Sequence, residues 1–252
     1  MPYQRIPPVT NYEYGGGEYS DCCFFVHFSC TIALCDAILW EIMQLLFLVV
    51  LVFAIIVHEV AHGYVALLLG DPTAEQEGRL TLNPIPHIDI LGTLIIPGIL
   101  LLSGSGILFG WAKPVPYNPY NLKGRYGEAM VAAAGPGINI AFAVVFGLLF
   151  RFGGTVLPES LLYLCLAVVP VNLFLAFFNL IPIPPLDGSK ILMTFLPTHL
   201  RLRFEQWLAS FTGRQNIIAL LLLLLFLSWF ALDYVVMLVV FLTEHLTGSA
   251  IF

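Results

Sequence analysis

His58, Glu59 and His62 place two imidazoles four residues apart with a carboxylate beside the first, in His58-Glu59-Val60-Ala61-His62. On a helix of about 3.6 residues per turn, positions four apart lie one above the other, so both rings face one side and converge on a single cation. Glu59 then points at a water on that cation and accepts its proton, which is the zinc hydrolase chemistry of an H-E-x-x-H pattern. The trio sits inside the apolar run 42–69. Ionisable side chains at membrane depth cost about 2.5 kcal/mol or more each, so three together are kept for a task or as a paired polar cluster.

The elements that carry this trio follow from composition. The 252 residues are 59% hydrophobic and 10% charged, with mean hydropathy +0.92 and net charge −6. A soluble domain carries about 25% charged residues, so the chain reads as a membrane protein surrounded by lipid. Its few basic residues speak against a nucleic-acid partner. Cys22, Cys23, Cys30, Cys35 and Cys165 match no zinc ribbon and no redox C-x-x-C spacing, and read as free thiols. Residues 1–21, rich in Pro, Gly and Tyr, read as a disordered tail, and 22–252 as a single membrane-embedded domain. With Arg5 as its one basic residue, the tail lacks the charged start of a secretory signal.

The stretch 24–39 is apolar but short, a first span or an interfacial helix. The run 42–69 is a full span, stopped by Gly70-Asp71-Pro72. The run 90–109 is apolar but broken by Gly92, Pro97, Gly98, Gly104 and Gly106, poor material for a straight helix. A span at 129–150 opens on Ala134-Gly135-Pro136-Gly137-Ile138-Asn139, and another at 161–181 is ended by Pro182, Pro184 and Pro185. Leu200, Phe204, Trp207, Leu208 and Phe211 make the apolar stripe of a helix lying in the membrane surface. The last run, 216–243, suits one tilted span and is too short for a regular pair. The fold expected is an all-α polytopic membrane protein of about five to six transmembrane helices. A re-entrant or hairpin segment separates the zinc-motif helix from the Ala-Gly-Pro helix.

A catalytic zinc usually takes three protein ligands and keeps a fourth position for water. Asp187 is the best remaining candidate, because it follows an apolar span directly, in a proline-broken segment where backbone can bend toward a metal. The competing role is a helix N-cap for the residues after it. His62 lies about 10 Å of helix from the end of its span and about 30 Å from its beginning. Asp187 also follows the end of its span, so for both to reach one ion the two helices must run parallel. The span between them supplies one reversal, so 90–109 does not cross fully; irregular backbone at that depth is tolerated where protein or water covers it. Arg79, Lys113, Lys123, Arg125, Lys190, Arg201, Arg203 and Arg214 then share one side and Arg151 the other, which makes the zinc side cytoplasmic.

Two further groups stand out. His87 and Asp89 suggest a second metal site or a gate, with loop capping the commoner fate of such residues. In Lys113-Pro114-Val115-Pro116 the prolines strip one edge of donors, leaving the other to hold an extended substrate by strand addition, with Lys113 and Val115 as contacts.

Three motifs together resemble the site-2 protease family of intramembrane zinc metalloproteases, in a compact bacterial type without accessory domains. They are His58-Glu59-Val60-Ala61-His62, the Ala-Gly-Pro segment with Asn139, and Asn179-Leu180-Ile181-Pro182-Ile183-Pro184-Pro185-Leu186-Asp187-Gly188, and the likeness covers roughly 58–192. It implies one zinc ion held by His58, His62 and Asp187, with Glu59 as general base and acid. It also suggests Asn179 as a polar helper near the scissile peptide, a residue equally explained as a helix-end cap. Gly135 and Gly137 permit close helix packing, and Asn139 donates into the substrate-binding region. The implied substrates are single-pass or signal-peptide-like transmembrane proteins, cut in regulated intramembrane proteolysis in a bacterial plasma membrane. A prenyl-protein-type protease would need a second helical E-x-x-x-[DN] pattern, and none of Glu128, Glu159, Glu205 and Glu244 sits in one. A metal transporter or an inactive scaffold is the alternative from another class, and the intact Glu59 argues against it.

Overall fold

The computed structural model describes residues 19–96, 99, 102, 112–211 and 217–248. Its helices are α1 (Tyr19–Leu68), α2 (Thr73–Gln76), α3 (Gly127–Gly153), α4 (Glu159–Asn179), α5 (Asp187–Phe195), α6 (Thr198–Phe211) and α7 (Ile217–Thr247), and no strand occurs among the described residues. The fold is all-α, as expected. Packing divides the chain into one unit up to Leu45 and a second from Leu46 onward. The first is helical over residues 19–45. Most of the expected tail, the side chains of 24–39 and most of the glycine-broken stretch lie outside the described residues. Everything below concerns the second unit.

Three helical stretches among the described residues are long and apolar enough to cross a membrane: Ile42–Leu68, α3 and α4. The final apolar run is one unbroken 31-residue helix, not a hairpin. Lipid tails offer no hydrophobic drive for pairing helices, so close packing must hold them together, and small residues allow it. The buried positions follow that rule: Ala54, Ala129, Ala132, Ala143, Ala167 and Ala176 face neighbouring helices. Larger side chains of α1, such as Val49, Val52 and Phe53, stay exposed on the outer surface. Ala143, Val169, Leu173, Val235 and Val239 form the core between α3, α4 and α7.

Contacts fix the directions. Val131 of α3 meets His62, and Asn139, two turns on, meets His58, so α3 runs antiparallel to α1. Val50 packs on Ala167 and Val168, and further along both stretches His62 meets Asp187, so α1 and α4 run parallel. The metal geometry alone demanded that arrangement. The chain leaving α1 and the chain entering α3 are also stitched at one end: Lys123 N–H donates to the Leu69 carbonyl at 2.8 Å.

Asp71 is the knot of that stitching. Fully buried, it accepts from Thr73 Oγ1 at 2.6 Å, Thr73 N–H at 3.3 Å, Asn118 N–H at 2.6 Å and Asn121 Nδ2 at 2.8 Å. Burial pushes the carboxyl up, but the bonds from Thr73, Asn121 and Asn118 outweigh it and hold Asp71 below its ordinary value. Asp71→Asn turns an amide N–H₂ toward donors, and hydrogen bonds to a charged group are worth about 1.5–3 kcal/mol. Thermal unfolding in detergent should show Asp71→Asn melting lower than wild type. Because the folded value is depressed, the stabilisation is whole above the unfolded value of about 3.9 and lost as pH falls through the folded one. The gap in Tm should be constant from pH 5 to 8 and narrow below about pH 4; a gap that persists at acid pH would refute this role.

Candidate metal centre

His58 and His62 share one face of α1 as their spacing requires, with ring centroids 4.7 Å apart and planes at 86°. Asp187 reaches them from the first turn of α5. Its place depends on the segment 180–186, where three prolines stop α4 and the chain folds back on itself. Gly188 touches that backbone so closely that a Cβ there would overlap the Leu180 carbonyl. The N-cap position falls to Leu186, so the Asp187 carboxylate is not spent as a cap.

Among the described residues, His58, His62 and Asp187 form a buried cluster whose ligand atoms all lie within 4.8 Å of one another. Asp187 Oδ2 lies 3.1 Å from His58 Nε2 and 3.2 Å from His62 Nε2. Zinc–ligand bonds of about 2.0–2.2 Å in a tetrahedron put donor atoms roughly 3.3–3.6 Å apart, so the two distances from Asp187 to the imidazoles need only slight widening. The Lys190 ammonium beside Asp187 Oδ1 favours the charged form of that carboxylate. It is therefore ionised, as a ligand must be. Lys190 Nζ stands 3.6 Å from Asp187 Oδ1 and 5.5 Å above the Tyr117 ring centre.

The outer contacts of the imidazoles test the fit further. His62 Nδ1 lies 2.7 Å from the Val131 carbonyl, which only accepts, so Nδ1 carries the proton and Nε2 presents its lone pair inward. His58 Nδ1 lies 3.3 Å from Asn139 Nδ2, while Asn139 Oδ1 is buried without a partner. Turning that amide by 180° sets Oδ1 against a protonated Nδ1, which satisfies the orphaned oxygen and bares His58 Nε2. Gly135 supplies the remaining space: a Cβ there would stand 2.5 Å from both Nε2 atoms. Two neutral imidazoles, one carboxylate and a cradle open for lack of a methyl group fit a zinc ion.

Glu59 lies beside the cluster, its Oε2 accepting from the Val115 N–H at 3.0 Å. The segment 112–118 has no regular secondary structure and pairs with no strand among the described residues. Its Lys113 N–H donates to the His87 carbonyl at 2.9 Å. With both N–H groups engaged and the prolines lacking theirs, 113–116 offers an extended substrate no free N–H donor. The structure thus gives two expected substrate contacts other work: Val115 is buried against Glu59, and Asn139 is buried against His58. Lys113 is exposed. Asn179 does not join the cluster's hydrogen bonds; its Nδ2 donates to the Leu175 carbonyl one turn back at 2.9 Å. His87 donates from Nε2 to the Thr81 carbonyl and Asp89 caps the Gly92 N–H, the capping reading of that pair. Gly137 and Gly135 part company, since Gly137 has nothing within 4 Å of a notional Cβ and lines an apolar groove of about 480 Å³ beside Val57, Val60 and Ala61. Cys165 is a buried free thiol.

Membrane-length helices around a His-His-Asp cluster with an adjoining glutamate define a membrane zinc metalloprotease. Residues 154–224 match the model of peptidase family M50. The chain is 37% identical over 166 residues to "Putative zinc metalloprotease YwhC" of Bacillus subtilis, covering 63% of this chain and 72% of that one. Two proteins of the same description are MJ0611 of Methanocaldococcus jannaschii, 36% identical over 54% of this chain and 63% of its own length, and Rip2 of Mycolicibacterium smegmatis, 30% identical over 52% and 49%. No solved structure matches. The chain belongs to peptidase family M50, the site-2 protease family, and zinc is its cofactor.

Proposed function

We propose that the protein cuts transmembrane segments of single-pass or signal-peptide-like membrane proteins, in regulated intramembrane proteolysis, near the cytoplasmic face of a bacterial plasma membrane. The observation that carries this reading is the burial of His58, His62 and Asp187 among helices of membrane-spanning length, with Glu59 at their side. His58, His62 and Asp187 hold the ion, and Asn139 and the Val131 carbonyl fix the two rings. Zinc held by these three side chains would supply the acidity that makes a water attack at neutral pH and the positive charge that polarises a carbonyl. Glu59 takes the water's proton on the carboxylate edge not engaged by Val115 and returns it to the departing amine. Helical substrate carbonyls are hydrogen-bonded, so cleavage requires local unwinding, and substrates with Gly, Pro or polar residues in their spans should be cut fastest. In this reading the stretch 90–109 is re-entrant within about five to six spans in all, Lys113 touches substrate, and Asn179 assists near the scissile bond.

The test is direct. Purified protein in liposomes should cleave a labelled transmembrane peptide, stop when zinc is chelated, and recover when about one zinc per chain is returned. Cleavage that survives complete zinc removal would refute the mechanism.

A further inference from the structure

Arg79 belongs to none of the motifs, yet it is buried, 5% exposed, and its guanidinium grips three main-chain carbonyls. Nη1 donates to the Pro86 carbonyl, and Nη2 donates to those of Lys113 at 3.1 Å and Pro114 at 2.9 Å. The last contact matters most. The Pro114 carbonyl and the Val115 N–H are two ends of a single planar peptide unit. Arg79 draws electron density from its oxygen while its N–H donates to Glu59 Oε2 at 3.0 Å. A cation on the acceptor end and a carboxylate on the donor end polarise the unit in the same direction, so each bond strengthens the other. Pro114 has a fixed φ and Pro116 holds Val115 extended, so the peptide plane has little freedom to turn.

We propose that Arg79 is a positioning residue for Glu59, acting through the Pro114–Val115 peptide. The inference rests on the reading of Glu59 as the base. A glutamate on a helix has several rotamers, and only those aimed at the water are productive. The Arg79–peptide–Glu59 chain ties one carboxylate oxygen and thereby aims the other.

Two substitutions cut the chain at different links. Arg79→Gln removes the cation, and Val115→Pro removes the donor while keeping a side chain of similar volume in an already proline-rich extended segment. Both should retain one zinc per chain and leave KM within about twofold, while kcat falls by about 10- to 100-fold, as for lost outer-shell partners of a metal site. Because both act through one peptide, the double variant should be no slower than the slower single variant. Independent structural damage would instead multiply the two losses, so a multiplicative double variant overturns the proposal. An unchanged or increased kcat in Val115→Pro overturns it too. If Arg79→Gln does not fold, Arg79→Lys takes its place in the same cycle. Glu59→Gln, assayed alongside, reports separately on the base itself.

Discussion

Glu59→Gln should bind zinc as wild type does and lose about two to four orders of magnitude in cleavage rate, the usual contribution of a positioned proton-transfer group. The substitution is nearly isosteric and touches none of His58, His62 and Asp187. Its amide oxygen still accepts from the Val115 N–H, so the side chain keeps its place. What it lacks is basicity: an amide cannot take the proton from the attacking water. Zinc content by mass spectrometry and single-turnover cleavage of a transmembrane peptide separate the two properties. A variant that kept both zinc and full cleavage would move the base elsewhere. One that lost zinc would show Glu59 to be structural instead.

The parts of this site legible in the sequence are those where a residue type announces a task. Two histidines and a glutamate in an apolar helix are out of place unless they do chemistry, and helical periodicity alone puts the histidines on one face. Asp187 was readable from its position after a span, and with it the parallel course of α1 and α4. Contacts made by the main chain left no trace, because any residue has a carbonyl and nearly any has an N–H. The Val131 carbonyl that sets the His62 tautomer and the Val115 N–H that holds Glu59 are of that kind. Polarity without direction decided less elsewhere. Asn139 reads equally as a donor toward substrate or toward a ligand, and only the packing of α3 on α1 turns it onto His58. Arg79, counted from the sequence as one of the cytoplasmic charges, is buried instead.

Gly135 offers the sharpest test of the metal centre, because the effect of one methyl group there follows from contact distances alone. In Gly135→Ala the new Cβ would fall 2.5 Å from Nε2 of both His58 and His62, well inside the separation real Cβ atoms keep. Neither ring can swing aside cheaply, since the Val131 carbonyl holds His62 and Asn139 holds His58, one turn either way along the same helix. Moving α3 outward to make room would break both of those bonds. Each escape therefore spoils the ligand set, and zinc affinity should fall by at least about 10- to 100-fold, as it does when outer contacts of metal ligands are lost. Gly137→Ala is the control: two residues away, its Cβ meets nothing within 4 Å, so zinc and activity should stay at wild-type levels. Competition against a zinc chelator measures both variants on one scale. Equal affinities would mean that the helices stand further apart in the membrane than the close approach of α3 to α1 requires, and that the cradle is not what admits the ion.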